Sequence, residues 1–149
     1  ADFLRKCTFP KINTHPSLLP FHRGSYPMFW ACLLNHRLGV SLNDIESGID
    51  TGSLCYQKEL SYSCSESFRL IHARCRAAIL EVLSCVLKRL VFNEPIVWTP
   101  QQTSPIGAHS TADALPLLEK LPMSWDTSLD EARQILQPFI SSNHYFHST

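Results

Sequence analysis

The sequence predicts an α/β fold, a sheet of short strands flanked by helices, and three stretches carry that expectation. KINTH, residues 11–15, sets Asn13 and His15 two apart and runs into Pro16, as a strand does when it delivers two side chains from one face to its end. GVSLNDI and SLCYQKELSY, residues 39–45 and 53–62, alternate in strand fashion on either side of the glycine-bearing loop ESGIDTG. Apolar residues then recur at Phe68, Ile71, Cys75, Ile79, Val82, Val86 and Leu90, three and four apart, which is the stripe of an amphipathic helix.

Taken in order, the first strand brings Asn13 and His15 to its carboxyl edge, where open α/β sheets place their ligands. A Pro-bounded loop from Pro16 to Gly24 follows. SYPMFWACLLNHR is apolar at Phe29, Trp30, Cys32, Leu33 and Leu34, so a short buried helix is expected to begin near Pro27, whose fixed φ suits a first turn. Two strands then flank the loop that holds Asp50. Ser63 and Glu66 have the S-x-x-E spacing of a capping box, expected to open the long helix. Arg69, Arg74, Arg76, Lys88 and Arg89 fall mostly between its apolar positions, which describes a solvated face more simply than a phosphate patch. Beyond Glu94 the composition turns to Pro, Ser and Gln, then to ADALPLLEKL and a helix at SLDEARQILQPF capped by Ser128. The expected organisation is a main unit over residues 1–94 and a small appendage over 95–149.

Composition narrows the function classes. A chain of 149 residues, 44% of them hydrophobic, suits one moderate core. Lysine plus arginine equals aspartate plus glutamate, 13 against 13, so there is no overall positive field for nucleic acid, and small-molecule or protein partners are expected. Six cysteines include no C-x-x-C pair, and no signal peptide precedes them, which points to reduced thiols and a cytoplasmic location. Cys32 and His36 stand at a metal-pair spacing, yet no second pair completes a tetrahedral set, so no metal is expected and Cys32 reads as core. No apolar run reaches the roughly 20 residues of a membrane span. Self-pairing into a homodimer is left open by the sequence.

The chemistry of the polar residues is more pointed. An Asn amide donates to a carbonyl oxygen, a His gives or takes a proton near neutral pH, and an Asp orients or charges that His. Asn13, His15 and Asp50 together would steady the oxyanion of an acyl transfer without a covalent nucleophile, the attacking group then being an amine of the substrate.

HPSLLPFHRG, followed by GVSLNDIESGIDTG and QKEL, resembles the folate-dependent formyltransferase family, which includes the phosphoribosylglycinamide, methionyl-tRNA and nucleotide-sugar formyltransferases. The resemblance covers residues 10–90. It implies that Asn13 and His15 are the family's N-x-H pair and that Asp50, with Thr51 and Gly52, is its D-x-G motif. It implies further that 10-formyltetrahydrofolate donates the formyl group to a substrate amine, and that the loop Glu46, Ser47, Gly48 and Ile49 follows the backbone that hydrogen-bonds the pterin. Two departures stand out. Asn43 occupies a position where many members carry His, and the nucleotide-binding-like half that precedes N-x-H in the family does not precede it here. The chain is therefore expected to be the carboxyl-terminal half of a Rossmann-like formyltransferase domain, a mixed sheet flanked by helices, amino-terminally truncated, with a small appendage.

Within the family, RGSYPMFWA, QKEL and the tail WTPQ…AHSTADALPLLEKLPMSWD resemble the nucleotide-sugar N-formyltransferases, implying an amino sugar linked to a nucleotide as the acceptor. A methionyl-tRNA formyltransferase would be expected to carry a basic carboxyl-terminal domain, whereas the tail here is short and neutral. A phosphoribosylglycinamide formyltransferase would end sooner after the long helix. His109, Asp113, Trp98 and Trp125 are tail residues for which exposure or packing is the simpler expectation. The alternative from another class is a non-catalytic remnant or interaction module that keeps the motif without a full folate pocket.

Overall fold

The computed structural model describes residues 6–104, 108–121 and 124–142. Three strands, β1 (Ile12–His15), β2 (Leu38–Asp44) and β3 (Leu54–Leu60), form one sheet in the order β1-β2-β3. Both pairings are antiparallel. The parallel strands that a mixed sheet also requires are not among the described residues.

Among the described residues the sheet is accompanied by the helices α1 (Pro27–Leu33), α2 (Phe68–Val91), α3 (Thr111–Leu118) and α4 (Leu129–Ser142), with a 3-10 turn at Ser124–Asp126 before the last. Pro27 opens α1 as expected, and all seven of its residues are buried. The cap of α2 differs from the expectation. Ser67, immediately before Phe68, accepts the Leu70 N–H at 3.3 Å, while Ser63 and Glu66 close a separate turn one step earlier, with the Ser63 N–H donating to Glu66 at 2.6 Å. Glu66 is also held by Arg74 at 2.6 Å, so its carboxylate serves the approach to the helix and leaves the first turn to Ser67. Ser128 caps α4 as expected, accepting the Glu131 N–H at 3.3 Å.

Strand β2 is buried along almost its whole length, because its two faces are covered differently. Leu38, Val40 and Leu42 join the apolar cluster with Ile71, Cys75 and Val82 of α2. On the opposite face Ser41 donates to the Ser17 carbonyl at 2.7 Å and accepts the Leu19 N–H at 3.0 Å. The Pro16–Gly24 loop thus lies against this face of the sheet, tied by hydrogen bonds at Ser41 and with Leu18 packed over Gly39.

One apolar cluster contains residues from both sides of Glu94: Phe29, Trp30, Leu42 and Ile71 with Ala114, Leu117, Leu129, Ala132 and Leu136. Among the described residues no helix is long and apolar enough to cross a membrane.

Candidate active site

Antiparallel register sets the site. Asn13 lies opposite Asn43 and His15 opposite Ser41, so the β1 pair shares a sheet face with the buried amide of Asn43. Between β2 and β3 the register slips at Leu42/Asn43, a bulge of the kind that re-aims a strand end beside a site. The turn that follows is closed by the Asp44 N–H on the Ser53 carbonyl at 2.8 Å. Gly52 is required there, since a Cβ would sit inside the Asp44 carbonyl. Asp50 takes the left-handed conformation, φ +50°, which L-residues adopt only when their surroundings hold them.

Asp50 gathers the site. Its Oδ1 accepts from Asn13 Nδ2 at 2.9 Å, its Oδ2 accepts the Gly24 N–H at 2.8 Å, and the same Oδ2 lies 3.5 Å from His15 Nδ1. The structure therefore brings Asn13, His15 and Asp50 together across 37 positions of sequence. Asn43 completes the arrangement: its Oδ1 accepts from Asn13 at 3.3 Å, and its own amide donates to the Asp44 carbonyl at 2.9 Å. The Asn43 amide thus supplies an acceptor to Asn13.

His15 is buried, and its Nε2 lies 2.9 Å from the His22 carbonyl. A carbonyl only accepts, so Nε2 carries the ring proton of the neutral form and Nδ1 presents a lone pair toward Asp50. Burial lowers the pKa of His15, and it outweighs the opposing pull of the Asp50 charge and of the His22 carbonyl. Neutral His15 is a base at Nδ1; once protonated there it faces Asp50 as an ion pair.

Asn13, Asn43, Asp44, Ile45, Glu46, Gly48 and Asp50 line a cavity of about 210 Å³ beside these groups. Of the four loop residues expected to follow the pterin, Glu46 and Gly48 line this cavity, while Ser47 and Ile49 are exposed on the same turn.

Several contributors were not singled out by the sequence. Gln101 reaches in from beyond Glu94 and donates to the Asp50 and Gly52 carbonyls at 2.8 and 2.7 Å. His22 is fully buried, with its Nε2 2.9 Å from His36 Nδ1 and its Nδ1 3.2 Å from His109 Nε2. His109, expected to be merely exposed, instead stacks on Trp30 at 4.5 Å between ring centroids. Its main chain pairs with the loop, donating to the Arg23 carbonyl and accepting the Ser25 N–H, both at 2.8 Å. Gly24 has φ +86° and no room for a side chain against the His109 carbonyl. Asp113 caps α3 through Ser110, and Trp125 packs edge-on against Phe68. The one advance signal for Gln101 was its place in the WTPQ stretch.

A family model described as formyl transferase matches residues 1–87. A methionyl-tRNA formyltransferase from Syntrophus aciditrophicus is 39% identical over 64 residues, 42% of this chain and 20% of its own length. Another, from Fervidobacterium nodosum, is 30% identical over 120 residues, 80% of this chain and 36% of its own. The chain thus spans a minor part of the length of these curated relatives. Among solved structures, the formyltransferase PseJ from Anoxybacillus kamchatkensis, in complex with UDP-4,6-dideoxy-4-formamido-L-AltNAc and tetrahydrofolate, superposes with a TM-score of 0.80 at 27% identity, covering 88% of this chain and 68% of that one. Phosphoribosylglycinamide formyltransferase from Bacillus halodurans superposes with a TM-score of 0.51 at 26% identity, over 54% of this chain and 42% of that one.

Proposed function

Because the chain belongs to the formyl transferase family, we propose that it transfers a formyl group from 10-formyltetrahydrofolate to the amine of a nucleotide-linked amino sugar. The observation that carries this reading is the convergence of Asn13, His15 and Gly24 on Asp50 beside a polar cavity. The donor fits the residues present: the cavity is edged by the Asp44–Asp50 turn, whose backbone offers donors and acceptors to a flat heterocycle, and Asn13 and Asp50 of the trio line it. When bound there, the folate supplies an activated formyl carbon.

The chain's own groups then act on charge and protons. Asn13 Nδ2, which donates to Asp50 and Asn43, can turn one N–H to the formyl oxygen as negative charge grows on it. His15, after taking a proton at Nδ1 from water, donates that N–H to the same oxygen and returns the proton as the oxyanion collapses, its ring held by the His22 carbonyl. Asp50 holds the resulting imidazolium by charge and accepts, through water, the proton that the attacking amine must lose. One proton leaves the amine and one returns to the folate nitrogen, so His15 and Asp50 end as they began.

Two observations support the sugar nucleotide as acceptor: the likeness to PseJ covers 88% of the chain, including much of the region beyond the family match, and the net charge is zero, which gives no general attraction to a polyanion. The second reading, a methionyl-tRNA acceptor, is favoured by the names of the curated relatives. Incubating the protein with 10-formyltetrahydrofolate and either a panel of nucleotide-linked amino sugars or methionyl-tRNA decides between them. Formylated sugar nucleotide is the expected product; formylmethionyl-tRNA alone would transfer the assignment to the second reading, and neither product would remove the catalytic one.

A further inference from the structure

The turn that carries Asp50 is held at both ends of that residue, and one of the holding groups lies far along the chain. Gln101 Nε2 donates to the Asp50 carbonyl at 2.8 Å and to the Gly52 carbonyl at 2.7 Å. Its Oε1 accepts from Arg23 Nε at 3.2 Å and Nη2 at 2.7 Å. The orientation of the amide follows from its partners, because carbonyls only accept and a guanidinium only donates. Both N–H groups and both lone pairs of Gln101 are therefore committed.

Arg23 is the residue before Gly24, whose N–H donates to Asp50 Oδ2 at 2.8 Å. The dipeptide Arg23–Gly24 thus grips Asp50 twice, through Gln101 at the main chain and directly at the carboxylate. Asp50 needs such a grip. Its φ of +50° is unfavourable for a residue with a Cβ, and its distance of 3.5 Å to His15 depends on how the turn is seated.

We propose that Gln101 is a positioning residue of the formyl-transfer site: it clamps the Asp50–Gly52 turn to Arg23 and so sets the Asp50 carboxylate against His15 and Asn13. The inference rests on the formyltransferase reading for its catalytic consequence and on hydrogen bonding alone for its structural one. A neutral amide suits the task, since it supplies two donors to carbonyls on either side of Thr51 and adds no charge beside the His15–Asp50 pair. The stretch around Gln101 is tied in by a second, main-chain contact, Leu54 and Thr99 exchanging N–H···O bonds at 2.8 Å. What the sequence presents as an appendage then contributes to the reactive centre.

Gln101→Leu keeps the size of the side chain and removes its donors and acceptor; Gln101→Glu keeps the acceptor and removes the donors. Three readouts are taken on the purified protein: amide hydrogen exchange of Asp50–Gly52 relative to α2, kcat and KM for the acceptor, and the pH profile of kcat/KM. In both variants exchange in the turn is expected to rise about tenfold or more while α2 is unchanged. The value of kcat is expected to fall on the order of 10- to 100-fold with KM little altered, and the acidic limb of the profile to move as the His15–Asp50 spacing loosens. Unchanged exchange in the turn overturns the clamp. Raised exchange with kcat and pH profile at wild-type values overturns the positioning role. If the wild-type protein transfers formyl to no acceptor while exchange rises in the variants, the formyltransferase reading has failed and the clamp stands.

Discussion

His22 Nε2 and His36 Nδ1 share one hydrogen bond of 2.9 Å, and His22 uses its other ring nitrogen on His109 at 3.2 Å. Each bond needs one proton between two nitrogens, so a neutral His22 donates one of them and accepts the other. Burial lowers the pKa of His22 to about 3, with the neighbouring His36, His109 and His15 pushing in the same direction; burial also lowers His36 and His109. The unfolded chain binds these protons near pH 6.5 and the folded chain does not, so stability is full above that pH and declines as pH falls toward 3. Urea unfolding between pH 7.5 and 5 should show a steady loss, because the carboxylates with lowered values, Glu66, Asp113 and Asp126, titrate lower. His22→Phe should flatten that slope. A flat wild-type profile across this range would rule out the buried, neutral cluster.

Asn43 and Asn13 make a second testable pair. Asn43→Ala removes the acceptor of the Asn13 amide and the donor to the Asp44 carbonyl in a site 1% exposed. Unfolding free energy should fall by about 1–3 kcal/mol, and formyl transfer by about tenfold through looser placement of Asn13. Asn43→His, which installs the residue common in the family, should retain most of the activity and shift its pH dependence. An Asn43→Ala variant with wild-type stability and turnover would show the contact to be incidental.

Gly52→Ala tests the turn itself. A Cβ there collides with the Asp44 carbonyl, a backbone atom that cannot swing away. The expected result is a loss of at least about 2 kcal/mol, measured by thermal or urea unfolding, together with loss of activity. A neutral effect would mean that the β2–β3 connection can follow another path.

Leu136 in α4 is fully buried in the cluster that contains Phe29 and Ile71. Leu136→Ala should cost about 2–5 kcal/mol in a single cooperative transition. Two separate transitions would instead show residues beyond 94 to unfold on their own.

The elements visible in the sequence were those with local period. Asn13 and His15 at a two-residue step, Pro27 at a first turn, and the spacing from Phe68 to Leu90 all became the strand and helices expected. The trio was legible because the N-x-H and D-x-G motifs are short and local, although their meeting depends on register. Gln101 was not legible as a site residue: it serves carbonyls 49 and 51 positions away, and carbonyls leave no trace in the choice of residue. His22, His36 and His109 are similarly scattered, and only folding brings their rings together. The cap of α2 was misplaced by four residues because Ser63-x-x-Glu66 and Ser67 both satisfy the local rule, and Arg74 drew Glu66 to the earlier turn.

The central claim, that Asp50 acts on a bound formyl donor through its charge, is tested most directly by Asp50→Asn. The replacement preserves size and an acceptor for the Gly24 N–H, and removes the charge facing His15 together with the acceptor for Asn13 Nδ2. Donor binding, followed by folate fluorescence, and formyl transfer are measured on the same protein. Binding is predicted to stay within about threefold while kcat/KM falls by about 10²- to 10⁴-fold. Transfer within threefold of the wild-type rate would contradict the account and place the chemistry elsewhere.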